Sequence, residues 1–554
     1  MAKKNNQKLE LTWIGKGEEP RLEPRILIEN PEYSYGDPEA ENMLIHGDNL
    51  LALKALEQEY AGEVKCVYID PPYNTGSAFE QYQDGLEHST WLNLIKSRLK
   101  ILWNLLHRKE GSLWISIDDN EMPYLRVLLD ELCGRDKFIA SNIWQKRYSR
   151  ENREAIGDVH EYIIVYAKDR AVFKEKRNRL PLTEKQSKVY KNPNNDPKGR
   201  WRTIPITAQA GHGTKAQFYD IIGPTGKTFS PPDGNCWRYS KDAFEKLRNE
   251  GRIYFGKNGT NQPTTIRYLS EVPGIVPWTW WNHEEVGHTD ESKKESIALF
   301  QDNLFDTPKP ERLIERILHI ATNEGDLVLD SFLGSGTTSA VAHKMGRRWI
   351  GVELGEHAKT HCLPRLKQVV KGEQGGISKS VNWKGGGGFK YYTLAPSMLN
   401  QDKYGNWVIS KEYNSTMLAA AMAKQEGFRY EPHTSTYWKQ GKSSEKDFIF
   451  TTTQFITIDM LDKIHDEMAE DESLLITCKA YHGSCEGRHP NITIKKIPHM
   501  LLGKCEFGKE DYSLNIVNLP FEREEEEEPE IIEEELEQEE ETTDENTDTQ
   551  QKLF

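Results

Sequence analysis

Two stretches decide how this chain folds. They are Val64-Lys65-Cys66-Val67-Tyr68-Ile69-Asp70-Pro71-Pro72-Tyr73 and Leu327-Val328-Leu329-Asp330-Ser331-Phe332-Leu333-Gly334-Ser335-Gly336-Thr337-Thr338. Each is a short apolar run that ends on an aspartate and then meets residues that break regular structure. Such a run, bounded by turn signals, reads as a buried strand. The first stops because two prolines cannot continue a hydrogen-bonded ladder. The second runs into glycines that let the backbone turn tightly into a helix.

Working outward, the pattern alternates. Residues 43–46 read as a strand and 50–56 as a helix. Ser89 is placed to cap a helix whose apolar positions Trp91, Leu94, Ile95, Leu99, Leu102 and Leu106 follow the 3.6-residue period. Residues 112–117 form another strand. A helix through Leu125, Leu128, Leu129 and Leu132 ends at Gly134, and strands at 139–144 and 162–167 follow. Residues 170–290 break the order, being rich in Lys, Arg, Asn, Gly, Pro and aromatics. It returns with a helix from Pro310, the strand 327–330, a helix to Gly346 and a strand to Glu353. This alternation predicts an α/β fold with a mostly parallel sheet covered on both faces. Such sheets bind ligands beyond the carboxyl ends of their strands, where both stretches deliver their aspartates.

With 554 residues the chain exceeds one ordinary core, so two or three domains are expected. No stretch approaches the roughly 20 apolar residues of a membrane helix. The basic N-terminus is followed by no apolar segment, so a cytoplasmic protein is expected. Seven cysteines, at 66, 133, 236, 362, 478, 485 and 505, form no CxxC pair and suggest neither zinc nor a disulfide framework. The net charge of -15 is segregated. Residues 521–550 hold fifteen Glu and two Asp against one Arg, the body 1–520 is about neutral, and 141–270 sum to about +12. An acidic total therefore does not argue against nucleic-acid binding.

The residues after each strand suggest chemistry. An exocyclic amino nitrogen conjugated to a base is a poor nucleophile, and it improves when acceptors hold its two protons. Asp70 can accept one and the carbonyl of Pro71 the other, with Pro72 stiffening the backbone and Tyr73 offering a face for the base. In the second stretch, Gly334 and Gly336 let the backbone approach a ligand, and the helix from Thr337 presents free N–H groups. Glu353 ends the next strand, 19 residues after Gly334, which suits a carboxylate on ribose hydroxyls. The loop lacks the third glycine of a dinucleotide fingerprint, and Asp330 would repel a pyrophosphate but attract an ammonium. The expected cofactor is thus S-adenosylmethionine rather than NAD. Gly223-Pro224-Thr225-Gly226-Lys227-Thr228 imitates a phosphate loop, but Ile221 stands where its first glycine belongs, and the segment reads as a turn between strands. No Pro-Cys dipeptide offers a nucleophile for attack on a cytosine ring.

These motifs resemble the β-class DNA amino-methyltransferases, in particular the modification (Mod) subunits of type III restriction–modification systems. The catalytic Asp-Pro-Pro-Tyr precedes the cofactor loop, with a recognition region between them. Residues 45–50 (IHGDNL), 114–120 (WISIDDN), 305–311 (FDTPKPE) and 351–356 (GVELGE) also look like that family. The resemblance implies a Rossmann-like sheet in circularly permuted motif order. It implies transfer of a methyl group to adenine N6 in duplex DNA by base flipping. Asp330, Phe332, Gly334 and Gly336 would line the cofactor's methionine end, Lys309 would approach its carboxylate, and Asp48 would lie near its adenine unless it is merely a helix-capping acid. A restriction subunit would be the partner and a homodimer the usual state.

The expected organisation is an extension at 1–40, a catalytic half at 41–170, a target-recognition insert at 171–290 and a cofactor-binding half at 291–384. The Gly385–Gly388 run would be a linker to a C-terminal α/β domain at 389–520, with an acidic disordered tail at 521–554 that either adds solubility or docks a partner. Candidate DNA contacts are Lys146, Arg147, Arg150, Arg177, Arg200 and Arg202, interleaved with Tyr148, Tyr190, Trp201, Tyr219 and Trp237. Trp278, Trp280 and Trp281 are expected to pack rather than stack on DNA. Two alternatives stand beside adenine methylation. One is cytosine N4 methylation, against which Asp at 70 argues because cytosine enzymes often carry Ser there. The other is a DNA-recognition subunit without catalysis.

Overall fold

The computed structural model describes residues 10–74, 86–149, 155–300 and 308–512. At its centre is one large twisted sheet. From one edge its strands are Leu27–Glu29, Gly388–Leu394, Met43–His46, Arg348–Glu353, Leu327–Asp330, Cys66–Ile69, Ser112–Ile117, His160–Ala167, Phe138–Gln145 and Trp280–Trp281. The six from Gly388–Leu394 to Ser112–Ile117 run parallel. His160–Ala167 is antiparallel to both of its neighbours.

Period-2 alternation explains why both faces are covered. Leu44, Cys66, Tyr68 and Val328 face one core with helices Glu311–Ala321, Thr337–Lys344 and Leu363–Val370. Ile45, Val67, Ile69, Leu329 and Val352 face the other with helices Asn49–Tyr60, Leu86–Leu105 and Met122–Leu129. Strands buried on both sides carry almost no polar residue until they end, so the polar residues at their ends are informative.

The two deciding strands lie side by side, with Val328 opposite Cys66 and Leu329 opposite Val67. Their onward connections diverge. From Leu327–Asp330 the chain passes through a helix to Arg348–Glu353 on one side, and from Cys66–Ile69 to Ser112–Ile117 on the other. That divergence is a topological switch point, and it opens a crevice beyond the carboxyl ends.

Several boundaries differ from the sequence reading. The glycine run at 385–388 does not link two domains. Gly388–Leu394 inserts into the central sheet beside Met43–His46, so the boundary expected at 389 falls inside that sheet. The extension before residue 40 is part of the same sheet, because Leu27–Glu29 and Tyr35–Gly36 both pair with Gly388–Leu394. Neither stretch has a hydrophobic period of its own, since each takes its structure from a partner some 350 residues away. Ser89 is not a helix cap. The helix starts at Leu86, and the Ser89 hydroxyl accepts instead from the Ile14 N–H at 3.4 Å.

The insert builds a small core from Ile206, Ile221, Phe229, Trp237, Phe244 and Phe255. Its phosphate-loop imitation is a hairpin turn, with Ile221–Ile222 pairing with Thr228–Phe229. Beyond the central sheet, a five-stranded sheet in which Asp447–Ile456, Ser473–Tyr481 and Ile492–Lys496 run parallel forms the C-terminal α/β layer. All seven cysteines are free thiols. Among the described residues no helix is long and apolar enough to cross a membrane. The acidic tail lies outside the described residues.

Candidate active site

Asp70 leaves the end of its strand and meets two side chains. The Tyr73 hydroxyl donates to Asp70 Oδ1 at 2.7 Å, and Lys309 Nζ lies 2.8 Å from Oδ2. Lys309 also donates to the Tyr73 oxygen at 3.0 Å. Burial raises the Asp70 pKa, Lys309 opposes it, and the nearby Glu161 adds to it. The Lys309 ammonium is buried too, but Asp70 and Glu161 more than compensate and hold it charged. The Pro-Pro turn is pinned from below. Trp91 Nε1 donates to the Pro72 carbonyl at 2.7 Å, leaving the Pro71 carbonyl as the acceptor of that pair for a substrate. Asn74 follows with φ 57°, a left-handed conformation Asn tolerates, and donates to Glu121 at 2.6 Å.

Asp330 ends the adjacent strand. The Phe332 N–H donates to its Oδ1 at 2.9 Å. Gly334 and Gly336 turn with φ 57° and 83°, and the second caps helix Thr337–Lys344. The Gly334 N–H donates to Glu353 Oε2 at 2.7 Å and the Gly355 N–H to Oε1 at 3.3 Å, so Glu353 shapes the loop as well as facing the crevice. Burial raises the pKa of Glu353 and pushes Asp330 up to about 7. Among the described residues no Lys, Arg or His pairs with Asp330. In register, Asp330 stands level with Tyr68, two residues before Asp70. Strand spacing and rise then put the two aspartates about 8 Å apart.

The other residues singled out from the sequence are placed as follows. Phe332 is half-buried at the crevice. Thr337 turns away from it, its hydroxyl accepting from Arg365 Nη1 at 2.7 Å, so its part is structural. Asp48 caps helix Asn49–Tyr60, accepting from the Leu51 N–H at 2.9 Å, and its other oxygen takes the Tyr512 N–H at 3.0 Å and Arg98 at 3.4 Å. Asp48 therefore serves as a helix-capping acid with both oxygens engaged. Lys309 lies on Asp70 and Glu161.

The candidate DNA contacts divide. Arg147, Arg200 and Arg202 are exposed. Lys146 is committed to Asp158 at 2.9 Å. Arg177 is misplaced, because its helix follows an antiparallel strand. It therefore lies with Lys65, Asn178 and Asn323 at the amino ends of the parallel strands, away from the crevice. Arg150 lies outside the described residues. Of the interleaved aromatics, Tyr190, Trp201 and Trp237 are core, while Tyr148 is exposed. Trp281 packs as expected, but Trp278 and Trp280 are exposed.

Two groups escaped the sequence reading. Glu161, 8% exposed, lies 2.9 Å from the Tyr73 hydroxyl, as the alternative to Asp70 in accepting its single proton, and 3.4 Å from Lys309. Its signal was a carboxylate inside an otherwise apolar strand. Behind the glycine loop, Glu311 binds Lys344 at 2.7 Å and Arg365 at 2.8 Å, and Arg365 reaches Thr337. A cation on the apolar face of a helix was the sign there.

A switch-point crevice with an acid for an amino group on one strand and a glycine loop for a nucleoside cofactor on the next defines an α/β, Rossmann-like methyltransferase. Residues 64–362 match the DNA methylase family, and the chain belongs to it. It is 33% identical over 352 residues to the type III restriction-modification enzyme StyLTI Mod subunit of Salmonella typhimurium, covering 58% of this chain and 51% of that one. It is 30% identical over 398 residues to the type II methyltransferase M.EcaI of Enterobacter cloacae, covering 70% and 81%. The chain spans about half the length of the Mod subunits it matches first. The solved PvuII DNA methyltransferase (cytosine-N4-specific) overlays 62% of this chain and 91% of its own, at TM-score 0.33 and 14% identity. The cofactor of this family is S-adenosylmethionine, and the residues present fit it. A buried aspartate with no cationic partner among the described residues, on a glycine loop next to a strand-end glutamate, suits a ligand that brings positive charge and ribose hydroxyls.

Proposed function

We propose that this chain is a site-specific DNA methyltransferase acting on adenine N6. We further propose that it is the modification subunit of a type III-like restriction–modification or related defence system. The observation that carries this reading is the adjacency of Asp70 and Asp330 at the carboxyl ends of neighbouring parallel strands. The target adenine leaves the duplex, with an unstacking cost of a few kcal/mol. Its amino group meets Asp70 and the Pro71 carbonyl, which hold its protons and free the nitrogen lone pair. The half-buried Tyr73 ring supports the base, its hydroxyl fixed by Asp70 and Glu161. S-adenosylmethionine, when bound, supplies an electrophilic methyl group whose bond to sulfur breaks as the bond to N6 forms. Asp330 and Glu353, with the Gly334–Gly336 turn, would hold it.

The insert and the segment after strand Phe138–Gln145 supply the DNA contacts in this reading, through Arg200 and Arg202 and through Arg147, rather than through the insert's buried aromatics. The partners are duplex DNA, a restriction subunit docked on the C-terminal α/β layer and a second copy of the chain, in the cytoplasm. Expressing the chain in a methylation-free bacterial host and sequencing its genome for modified bases tests the function. 6-Methyladenine at one recurring motif is expected. 4-Methylcytosine would reassign the base, and no modification would favour a recognition subunit.

A further inference from the structure

We propose that Glu161 is the second carboxylate of the reaction, receiving through the Tyr73 hydroxyl the proton that N6 sheds on methylation. The inference rests on the adenine reading above. Its ground is a continuous hydrogen-bonded path. Asp70 Oδ1 is 2.7 Å from the Tyr73 hydroxyl, and that hydroxyl is 2.9 Å from Glu161 Oε2. The other Asp70 oxygen is held by Lys309 at 2.8 Å. Among the described residues, the path through the Tyr73 hydroxyl joins Asp70 to Glu161.

The step balances without any further reactant. Once the new C–N bond has formed, the nitrogen carries positive charge. One N–H bond breaks, its electron pair stays on nitrogen, and the proton goes to Asp70. Asp70 passes a proton to the Tyr73 oxygen while Tyr73 passes its own to Glu161. Asp70 ends as a carboxylate, Tyr73 as a phenol and Glu161 as a carboxylic acid. The Glu161 side chain is 10% exposed, enough to release the proton to water.

Two cations face Glu161, Lys309 at 3.4 Å and Lys146 at 3.6 Å. Asp70, Asp118 and the phenols of Tyr68 and Tyr73 lie close enough to interact with it. Lys146 is tied to the more exposed Asp158 at 2.9 Å, which fixes the outer end of the cluster. Glu161 acts through Tyr73 in this proposal, so it is a positioning, proton-receiving residue. A carboxylate that merely balances two lysines would matter for folding and binding but not for proton movement.

The test uses the full chain, tritium-labelled S-adenosylmethionine and unmodified phage DNA of mixed sequence, in single-turnover reactions across pH. Glu161→Gln is expected to slow transfer by about 10²-fold at neutral pH, the usual range for a lost proton-transfer group. Cofactor and DNA dissociation constants should stay within about twofold. Tyr73→Phe breaks the same path and is expected to lose as much. Glu161→Ala is expected to regain rate with added acetate, in proportion to its ionised fraction, and not with acetamide. The proposal is overturned by a Glu161→Gln or Tyr73→Phe rate within about twofold of wild type. Equal loss of binding, or rescue by acetamide as good as by acetate, would also overturn it. Wild-type protein that transfers no methyl group to adenine would remove the function reading itself, and this inference with it.

Discussion

Two aspartates end adjacent strands of one sheet, and they live in opposite electrostatic circumstances. Asp70 is neutralised within the protein by Lys309 and hydrogen-bonded by Tyr73. Asp330 is equally sequestered but among the described residues has backbone and hydroxyl donors alone, and its carboxyl is pushed up to about 7. A charge that already has its partner is set for repeated proton handling. A charge left without one is set for a ligand that brings the partner. The same strand-end geometry thus serves acceptor chemistry on one strand and cofactor capture on the next.

Removing each acid should separate the two roles. Asp70→Ala is expected to lower single-turnover methyl transfer by about 10³-fold or more, with cofactor affinity by calorimetry within about threefold of wild type. Asp330→Asn is expected to do the reverse. Cofactor binding should weaken by about 30-fold, the scale of one lost charge-assisted hydrogen bond, while the rate at saturating cofactor changes far less. Equal effects on both measurements in either variant would erase the distinction.

The pH dependence follows from the same contrast. A cationic cofactor favours ionised Asp330, so binding expels the proton that the free site holds below about 7. Affinity should climb by up to about tenfold per pH unit toward pH 7 and level off above it, and Asp330→Asn should flatten that slope. Lys309→Met should move the other aspartate instead. Without the cation that opposes burial, Asp70 holds its proton more tightly, so the acid limb of the rate profile should shift to higher pH. The smallest effects concern DNA. Arg200→Gln and Arg202→Gln should each reduce the salt slope of binding by about 0.9. Arg177→Gln, at the far end of the sheet, should leave it unchanged.

The central sheet was legible because its strands are apolar runs that stop abruptly. Ser112–Ile117 and Leu327–Asp330 fall where the pattern placed them. The edge strands were not legible, because Leu27–Glu29 and Gly388–Leu394 form through pairing and not through any period of their own. In the site, Asp70, Tyr73, Asp330 and Glu353 announced themselves as polar residues at the ends of apolar strands. Lys309 was found, but its contacts with Asp70 and Glu161 were not, since sequence order cannot say which acid a long side chain reaches. Asp48 and Thr337 are polar residues at helix starts, where capping competes with ligand contact, and the coordinates favour capping for Asp48 and an Arg365 contact for Thr337. Trp201 and Trp237 looked like stacking platforms because a small domain needs large side chains to build any core at all.

The most direct test is an experimental structure with S-adenosylmethionine bound. The donor is expected to lie along the Gly334–Gly336 turn, its amino group near Asp330 and its transferable methyl directed toward Asp70. A donor seated elsewhere, or one whose methyl points away from Asp70, would contradict the account.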